Sequence, residues 1–389
     1  MINPVDSFIL NAARLELKDV HVEALKALVT EISDWNEFEN KTRIHGVQAL
    51  IYNSLKKNHL SGLIPQPVYE NLRASYYRNA YRNTLIGEEI NRIKEIVSDQ
   101  IVLLKGAALI NSFYKNIALR ELCDLDILIE KGKAWMIWNE MRNNGYRLID
   151  DTQVFKSSLH EKLYSNYYDS HLLALCSVNI AVEVHWNIMR SPEHYTITSK
   201  AFENTVCIDE DRDLHVLSDE FQLIHLCCHF AKHMNSPQEI FVPLKWLCDI
   251  NEFLETKSET LNWQLIEEIC NEIDVFNEMR DSLSYVHVLM GVPIPEYFRN
   301  MIIIERNNLD LGSLQKKMTF KYQHERGNIY KESSQKFSFL NNGKEKFTFF
   351  FRSMFPVKKW IIHKYGSNVA LGYSMYWSDM FARYILKKK

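Results

Sequence analysis

The chain has 389 residues, 46% of them hydrophobic and 24% charged, with a formal charge of −3. That is ample for a large core in two or three modules. No apolar run approaches the roughly 18 residues of a membrane span, and the opening Met1-Ile2-Asn3-Pro4-Val5-Asp6 lacks the basic and apolar regions of an export signal. Seven cysteines (123, 176, 207, 227, 228, 248 and 270), odd in number and without zinc-type pairing, read as reduced thiols of a cytoplasmic protein.

Residues 1–98 have a helical pattern, with Ala24, Leu25, Leu28 and Val29 at helix spacing. Pro65 and Pro67 flank the opening of a long polar-apolar segment that runs to about Ser98. The apolar run Ile101-Val102-Leu103-Leu104 then predicts a short buried strand. Lys105-Gly106 breaks it, and Ala107 to Tyr114 returns to helical spacing. A glycine at such a turn lets backbone N–H groups approach a phosphate, and the helix start that follows favours anions. Lys105 could add a point charge and Arg120 a bidentate one.

Asp124-Leu125-Asp126-Ile127-Leu128-Ile129 predicts a second strand. Residues two apart point to the same side, so Asp124 and Asp126 project together while Leu125, Ile127 and Ile129 enter a core. Like charges this close repel, and a bound cation removes the repulsion. Mg²⁺ favours carboxylates together with substrate phosphates, and two ions about 4 Å apart can clamp an in-line phosphoryl displacement. A solvent-facing strand with hydrated acids has the same local pattern, as does an ordinary turn at Gly106 with surface cations at Lys105 and Arg120. The order of these features ahead of the acid pair favours the metal and triphosphate reading.

Further on, a helix is predicted from Gly132 to Asn144, with Gly145 as C-cap. The tyrosine-rich block from Thr152 to Leu175 suggests more strands. Val178 to Trp186 alternates apolar Ile180, Val182 and Val184 with Ala181, Glu183 and His185, the period of a half-buried strand. Helices resume at Ser218, where Asp219 and Glu220 suit a first turn. His225, His229 and His233 share one face of that helix. Zinc would suit His-x₃-His, but no acid stands nearby to complete a site. A polar wall of a substrate cleft, with Lys245 and Asp249 from the next helix, is the preferred reading, beside a set of plain buried contacts. Residues 314–389 hold sixteen Lys/Arg against four Asp/Glu, or +12, which leaves −15 for residues 1–313. This basic, aromatic tail suits nucleic acid, an anionic membrane surface, or a helical cap whose lysines snorkel outward. It could also close over the acidic site.

The run from Leu104 to Ile129 resembles the nucleotidyltransferase superfamily typified by DNA polymerase β and the kanamycin- and lincosamide-modifying enzymes. More closely, Leu104-Lys105-Gly106-Ala107, Arg120, Asp124-Leu125-Asp126 and Val182-Glu183-Val184-His185-Trp186 resemble a bacterial family of uncharacterised nucleotidyltransferases. Weaker flanking matches are Asp34-Trp35, His45-Gly46-Val47, Leu244 to Asp249, Phe355-Pro356 and Lys364-Tyr365-Gly366. Many superfamily members have Gly-Ser at the turn, where this chain has Gly106-Ala107.

The resemblance implies an α+β protein, with a small mixed β-sheet nucleotidyltransferase core between N-terminal and C-terminal helical regions. The expected modules are 1–98, 99–215, 216–310 and 311–389. It implies a third carboxylate, for which Glu183 is the candidate, completing a metal site or taking the acceptor's proton. His185 shares its face and could orient a carboxylate or touch substrate. The implied activity is transfer of a nucleoside monophosphate from an NTP such as ATP, with two Mg²⁺ ions, to a small-molecule or peptide acceptor. Asp124, Asp126 and Glu183 would hold metal, with Lys105, Gly106, Ala107 and Arg120 on the nucleotide. His185, His229, His233, Lys245 and Asp249 would line the acceptor cleft. A catalytically silent binding or regulatory protein on the same scaffold, and an enzyme acting on nucleic acid, are the alternatives.

Overall fold

Thirteen helices surround one sheet in the computed structural model, which describes residues 3–148, 170–175, 180–188, 195–235, 241–292, 294, 355, 361, 365 and 368–386. The first helices are α1 (Pro4–Ala12), α2 (Asp19–Leu28), α3 (Trp35–Ile44) and α4 (Gln48–Lys57). Asp34 caps α3, its carboxylate accepting from the N–H groups of Asn36 and Glu37 at 2.9 and 3.0 Å. Trp35 packs edge-on against Phe8 and Phe38. The Asp34-Trp35 pair is therefore explained by helix capping and packing.

Helix α5 (Gln66–Ile96) runs for 31 residues, with Pro67 in its first turn. Its buried face mixes apolar Val68, Leu72, Ile86 and Ile93 with Asn79 and Asn83. Those amides are spent on backbone. Asn79 donates to the carbonyl of Ala118 at 3.2 Å and Asn83 to that of Arg120 at 2.8 Å, while Arg82 donates to the carbonyls of Leu122 and Cys123 at 2.6 and 2.5 Å. A buried loop needs partners for its carbonyls, and α5 supplies them to the segment that leads into the acid pair.

The sheet has seven strands: β1 (Ile101–Leu103), β2 (Asp124–Leu128), β3 (Tyr146–Leu148), β4 (Ser170–Leu175), β5 (Ala181–His185), β6 (Thr205–Asp209) and β7 (Leu214–Leu217). Their order is β3-β4-β5-β2-β1-β7-β6. β2 is central, antiparallel to β1 and parallel to β5. Between strands come α6 (Lys105–Leu109), widened by a π turn over Ile110–Tyr114, then α7 (Ala134–Asn143) and α8 (Tyr195–Glu203). α9 (Asp219–Asn235), α10 (Leu244–Lys257), α11 (Trp263–Glu272), α12 (Phe276–Met290) and α13 (Val369–Leu386) follow.

Two cores lie against the sheet. On one side Leu125, Ile127, Ile129, Val182 and Val184 pack with Ile86 and Ile93 of α5 and Ile137, Trp138 and Met141 of α7. On the other, Val102, Leu128 and Leu217 join a larger core made by α1–α5 together with α9–α12. The protein is thus α+β, a mixed sheet with helical regions on either side in sequence. The N-terminal helices and those after residue 218 share one core, and Arg14 of the first region donates to the carbonyl of Met290 at 2.5 Å.

Several expectations need adjustment. The helix expected to begin at Ala107 begins at Lys105, so Gly106 is not the turn residue. The left-handed backbone falls on Lys105 itself, at φ 47°. The helix expected from Gly132 opens as a 3₁₀ turn over Lys131–Lys133 and becomes α-helical at Ala134. β3, β6 and β7 were unforeseen, β3 and β7 being short and β6 largely exposed. Of the block from Thr152 to Leu175 only residues 170–175 are described, and they form β4. Most of the basic tail lies outside the described residues. No helix among the described residues is long and apolar enough to cross a membrane.

Candidate functional site

The parallel register of β2 and β5 sets Asp124 beside Ala181, Asp126 beside Glu183 and Leu128 beside His185. Paired residues share a face, so two aspartates, a glutamate and a histidine from two strands look toward the same side. Their partners Leu125, Ile127, Val182 and Val184 anchor the opposite face in the core. The antiparallel step to β1 adds Lys105, because the N–H of Leu104 donates to the carbonyl of Asp126 at 3.0 Å and α6 starts at the next residue.

The charges converge on Asp126, which is 4% exposed. Lys105 Nζ lies 2.6 Å from Asp126 Oδ1 and 3.6 Å from Glu183 Oε2. His185 Nε2 lies 3.0 Å from Asp126 Oδ1 and 3.4 Å from Glu183 Oε2. Burial by itself would lower the pKa of Lys105, but the charges of Asp126, Glu183 and Asp124 outweigh it and the value rises. For His185, burial opposes protonation, yet the charge of Glu183 and hydrogen bonds to Asp126 and Glu183 raise it from 6.5 to about 9. The carboxyl of Asp124 is raised by its own burial and then by the charge of Asp126. This is the electrostatic signature of an acidic centre that favours added positive charge.

Asp126, Glu183 and His185 each offer one ligand atom, and the three atoms lie within 4.8 Å of one another, so the group could hold a metal ion. The donor set fits a divalent cation. Two carboxylates suit Mg²⁺ or Mn²⁺, and the imidazole broadens the choice toward Mn²⁺. Asp124 stands on the same face, two residues earlier on β2.

Gly106 is buried, and a Cβ there would lie 2.3 Å from Leu122 Cδ2 and 3.7 Å from the guanidinium carbon of Arg120. Close packing of α6 on the segment before β2 is what this glycine allows. Ala107 is also buried in α6. Arg120 and Asp249, expected in separate roles, are one buried ion pair. Arg120 Nε is 2.8 and 3.0 Å from the two oxygens of Asp249, and Nη2 is 2.7 Å from Oδ2. The hydroxyl of Tyr114 donates to Asp249 Oδ1 at 3.0 Å, and Arg120 also donates to the carbonyl of Glu121. The pair ties the approach to β2 onto α10.

Lys245 lies at the rim beyond Asp124, with Nζ 3.2 Å from Glu121 Oε2 and 3.4 Å from Cys123 Sγ. Its position is set from far away in sequence. His45 Nδ1 accepts from the N–H of Leu244 at 3.1 Å, and the His45 carbonyl accepts from that of Lys245 at 3.3 Å. Gly46, at φ +68°, has no room for a Cβ, which would meet Glu121 Oε2 at 2.5 Å and Lys245 Cδ at 2.8 Å.

His225, His229 and His233 do share a face of α9. The rings of His225 and His229 stack at 6.5 Å, and His229 meets His233 at 4.7 Å. Trp246 packs on both His229 and His233 at 4.6 Å. Trp246, Tyr114 and the His45-Gly46 turn were not singled out as site features. Their only sequence signal was membership of the weak flanking motifs, or for Tyr114 the end of a helical run.

No curated protein and no solved structure matches the chain. A family profile described as uncharacterised nucleotidyltransferase matches residues 31–291, a span that takes in the His45-Gly46 turn, all seven strands and the histidine helix. With its acids, lysine and histidine gathered on β1, β2 and β5, the chain belongs to that uncharacterised nucleotidyltransferase family.

Proposed function

We propose that the protein is a metal-dependent nucleotidyltransferase that moves a nucleoside monophosphate from an NTP to an acceptor hydroxyl or phosphate. The observation that carries this reading is the register of Asp126 with Glu183, which puts Asp124, Asp126, Glu183 and His185 on one face beside Lys105. Asp124, Asp126 and Glu183 would hold divalent cations, Mg²⁺ or Mn²⁺, which when bound neutralise charge on the triphosphate.

The residues of the chain do the rest. Lys105, already neutralising Asp126, would turn its ammonium to the triphosphate once a cation takes over that carboxylate. The start of α6 at Lys105-Gly106-Ala107 would present backbone N–H groups to the same phosphates. Arg120 would act through Asp249 by fixing the wall between β2 and α10, and Lys245 would meet anionic substrate at the rim. The acceptor oxygen bonds to the α-phosphorus as the bond to pyrophosphate breaks, and the acceptor proton leaves to Glu183. Positioning and electrostatics supply most of the catalysis in such transfers. His185, His229 and His233 would line the acceptor side, for a small-molecule or peptide acceptor. A cytoplasmic setting, where nucleoside triphosphates are plentiful, suits this activity.

The test is to incubate the protein with each α-labelled ribonucleotide, Mg²⁺ or Mn²⁺, and a desalted cell extract. Label should appear on an acceptor with release of pyrophosphate. Asp124→Asn with Asp126→Asn should abolish this while the protein stays folded. A folded double variant with full turnover would remove the proposal.

A further inference from the structure

Nε2 of His225 is a buried polar atom with no hydrogen-bond partner among the described residues. The ring lies on α9 and is 6% exposed. Its Nδ1 is 3.1 Å from the carbonyl oxygen of Ile188. A carbonyl only accepts, so Nδ1 carries the proton and the neutral ring presents a bare lone pair at Nε2. The Ile188 peptide is itself fixed. Its N–H donates to Thr198 Oγ1 at 3.1 Å, and the Thr198 hydroxyl donates to Asn187 Oδ1. Asn187 and Ile188 directly continue β5 beyond His185, so this scaffold hangs the imidazole next to the acid centre.

The charges of Lys105, His185 and Asp126 are close enough to act on His225, and that of Lys105 on His229 one turn later. This stretch of α9 therefore lies near the acid centre. The ring nitrogen is not a fourth member of the cation group, whose ligand atoms are those of Asp126, Glu183 and His185. Leaving a buried acceptor unmade costs stability, and a histidine whose tautomer is set by a fixed carbonyl is the arrangement expected where the other nitrogen has a task.

We infer that His225 is the binding point for the molecule that receives the nucleotide, with Nε2 accepting a hydrogen bond from a donor group of that molecule other than the attacking hydroxyl. The inference rests on the transfer reading above, in which that hydroxyl proton leaves to Glu183. His229, His233 and Trp246 form the aromatic continuation of the same wall. The ligand class is a hydrogen-bond donor, an alcohol of a small molecule or of a peptide side chain. An anion finds no donor at Nε2.

Two amide substitutions separate this role from a structural one. In His225→Asn the amide N–H can replace the bond to Ile188 while nothing reaches the Nε2 position. In His225→Gln the amide oxygen can reach the Nε2 position and accept there. The assay uses the α-labelled ribonucleotide, the divalent cation and a dilution series of desalted cell extract, with NTP affinity measured separately by calorimetry. His225→Asn should cut transfer by about 100-fold, the scale of a misplaced reactant, with NTP affinity unchanged. His225→Gln should stay within about tenfold of the parent, needing more extract to reach the same rate. Asn outperforming Gln, or NTP affinity collapsing alongside transfer, overturns the inference. So does undiminished transfer by both variants, while the transfer reading survives. Absence of labelled acceptor with the parent protein removes the transfer reading itself and this inference with it.

Discussion

Glu252 is a carboxyl with a charge problem. It is buried in α10 and accepts from Asn251 Nδ2 at 2.9 Å. Burial raises its pKa from 4.5 to about 7, against the opposing effect of its hydrogen bonds and of Arg14. A raised pKa means that the folded protein holds a proton the unfolded chain has released. Its contribution is fully present below about pH 4.5 and is lost as pH rises through about 7. Glu252→Gln should therefore stabilise the protein by about 1–3 kcal/mol at pH 8 and by little at pH 4.5. Urea unfolding at the two pH values checks this; equal effects at both would refute it. His225 behaves in the opposite sense: burial and the charges of Lys105 and His185 lower its pKa from 6.5 to about 3. Its contribution is present above about 6.5 and is lost as pH falls toward 3. Neither shift is legible in sequence, since each depends on what the fold packs around the group.

Among the elements, the buried pair of Arg120 and Asp249 joins the approach to β2 with α10. Removing one member of such a pair strands the other charge, at a cost of about 3–5 kcal/mol, whereas replacing both with apolar groups is often neutral. Arg120→Ala should thus lower stability by about 3–5 kcal/mol, and adding Asp249→Leu should recover part of that loss. Thermal or urea unfolding of the three variants measures it, and a second substitution that deepens the loss would show that the pair is not the cause. The strands were legible here because their patterns are strong: Asp124 to Ile127 alternates and ends in an apolar run, Ile180 to His185 sets Val182 and Val184 against Glu183 and His185, and the structure pairs the two in parallel. The turn between β1 and α6 was misread because glycine is the usual bearer of a left-handed backbone. At this turn Lys105 bears it, and Gly106 is needed for Leu122. β6 was missed because its Val206-Cys207-Ile208 stretch does not alternate and lies exposed, and β7 because four residues give too short a pattern to stand out.

At the scale of the whole molecule, the sheet carries its acids on the face that meets the shared helical core, and that face is assembled from distant parts of the chain. His45 and Gly46 hold the start of α10, α10 carries Lys245 and Trp246, and α9 carries the histidines. A cation that binds only the folded protein stabilises it by mass action, by about 2.7 kcal/mol at a hundred times its Kd. Mn²⁺ and Mg²⁺ should each raise the melting temperature of the parent protein in a concentration-dependent way, and Asp126→Asn should abolish the rise. An equal rise in the variant would place the binding elsewhere.

From its sequence alone the chain determined the elements of the acidic centre, because a period of two forces alternate side chains to one side whatever surrounds them. The same local order of lysine, glycine and paired aspartates sufficed to suggest the family. Only the tertiary structure decided the parallel register that sets Asp126 beside Glu183, that Arg120 would be matched with Asp249, and that a turn near residue 46 would set Lys245. The reason is physical. A side chain's direction along a strand is a local property of the backbone, whereas its partner depends on register and packing between segments far apart in the sequence.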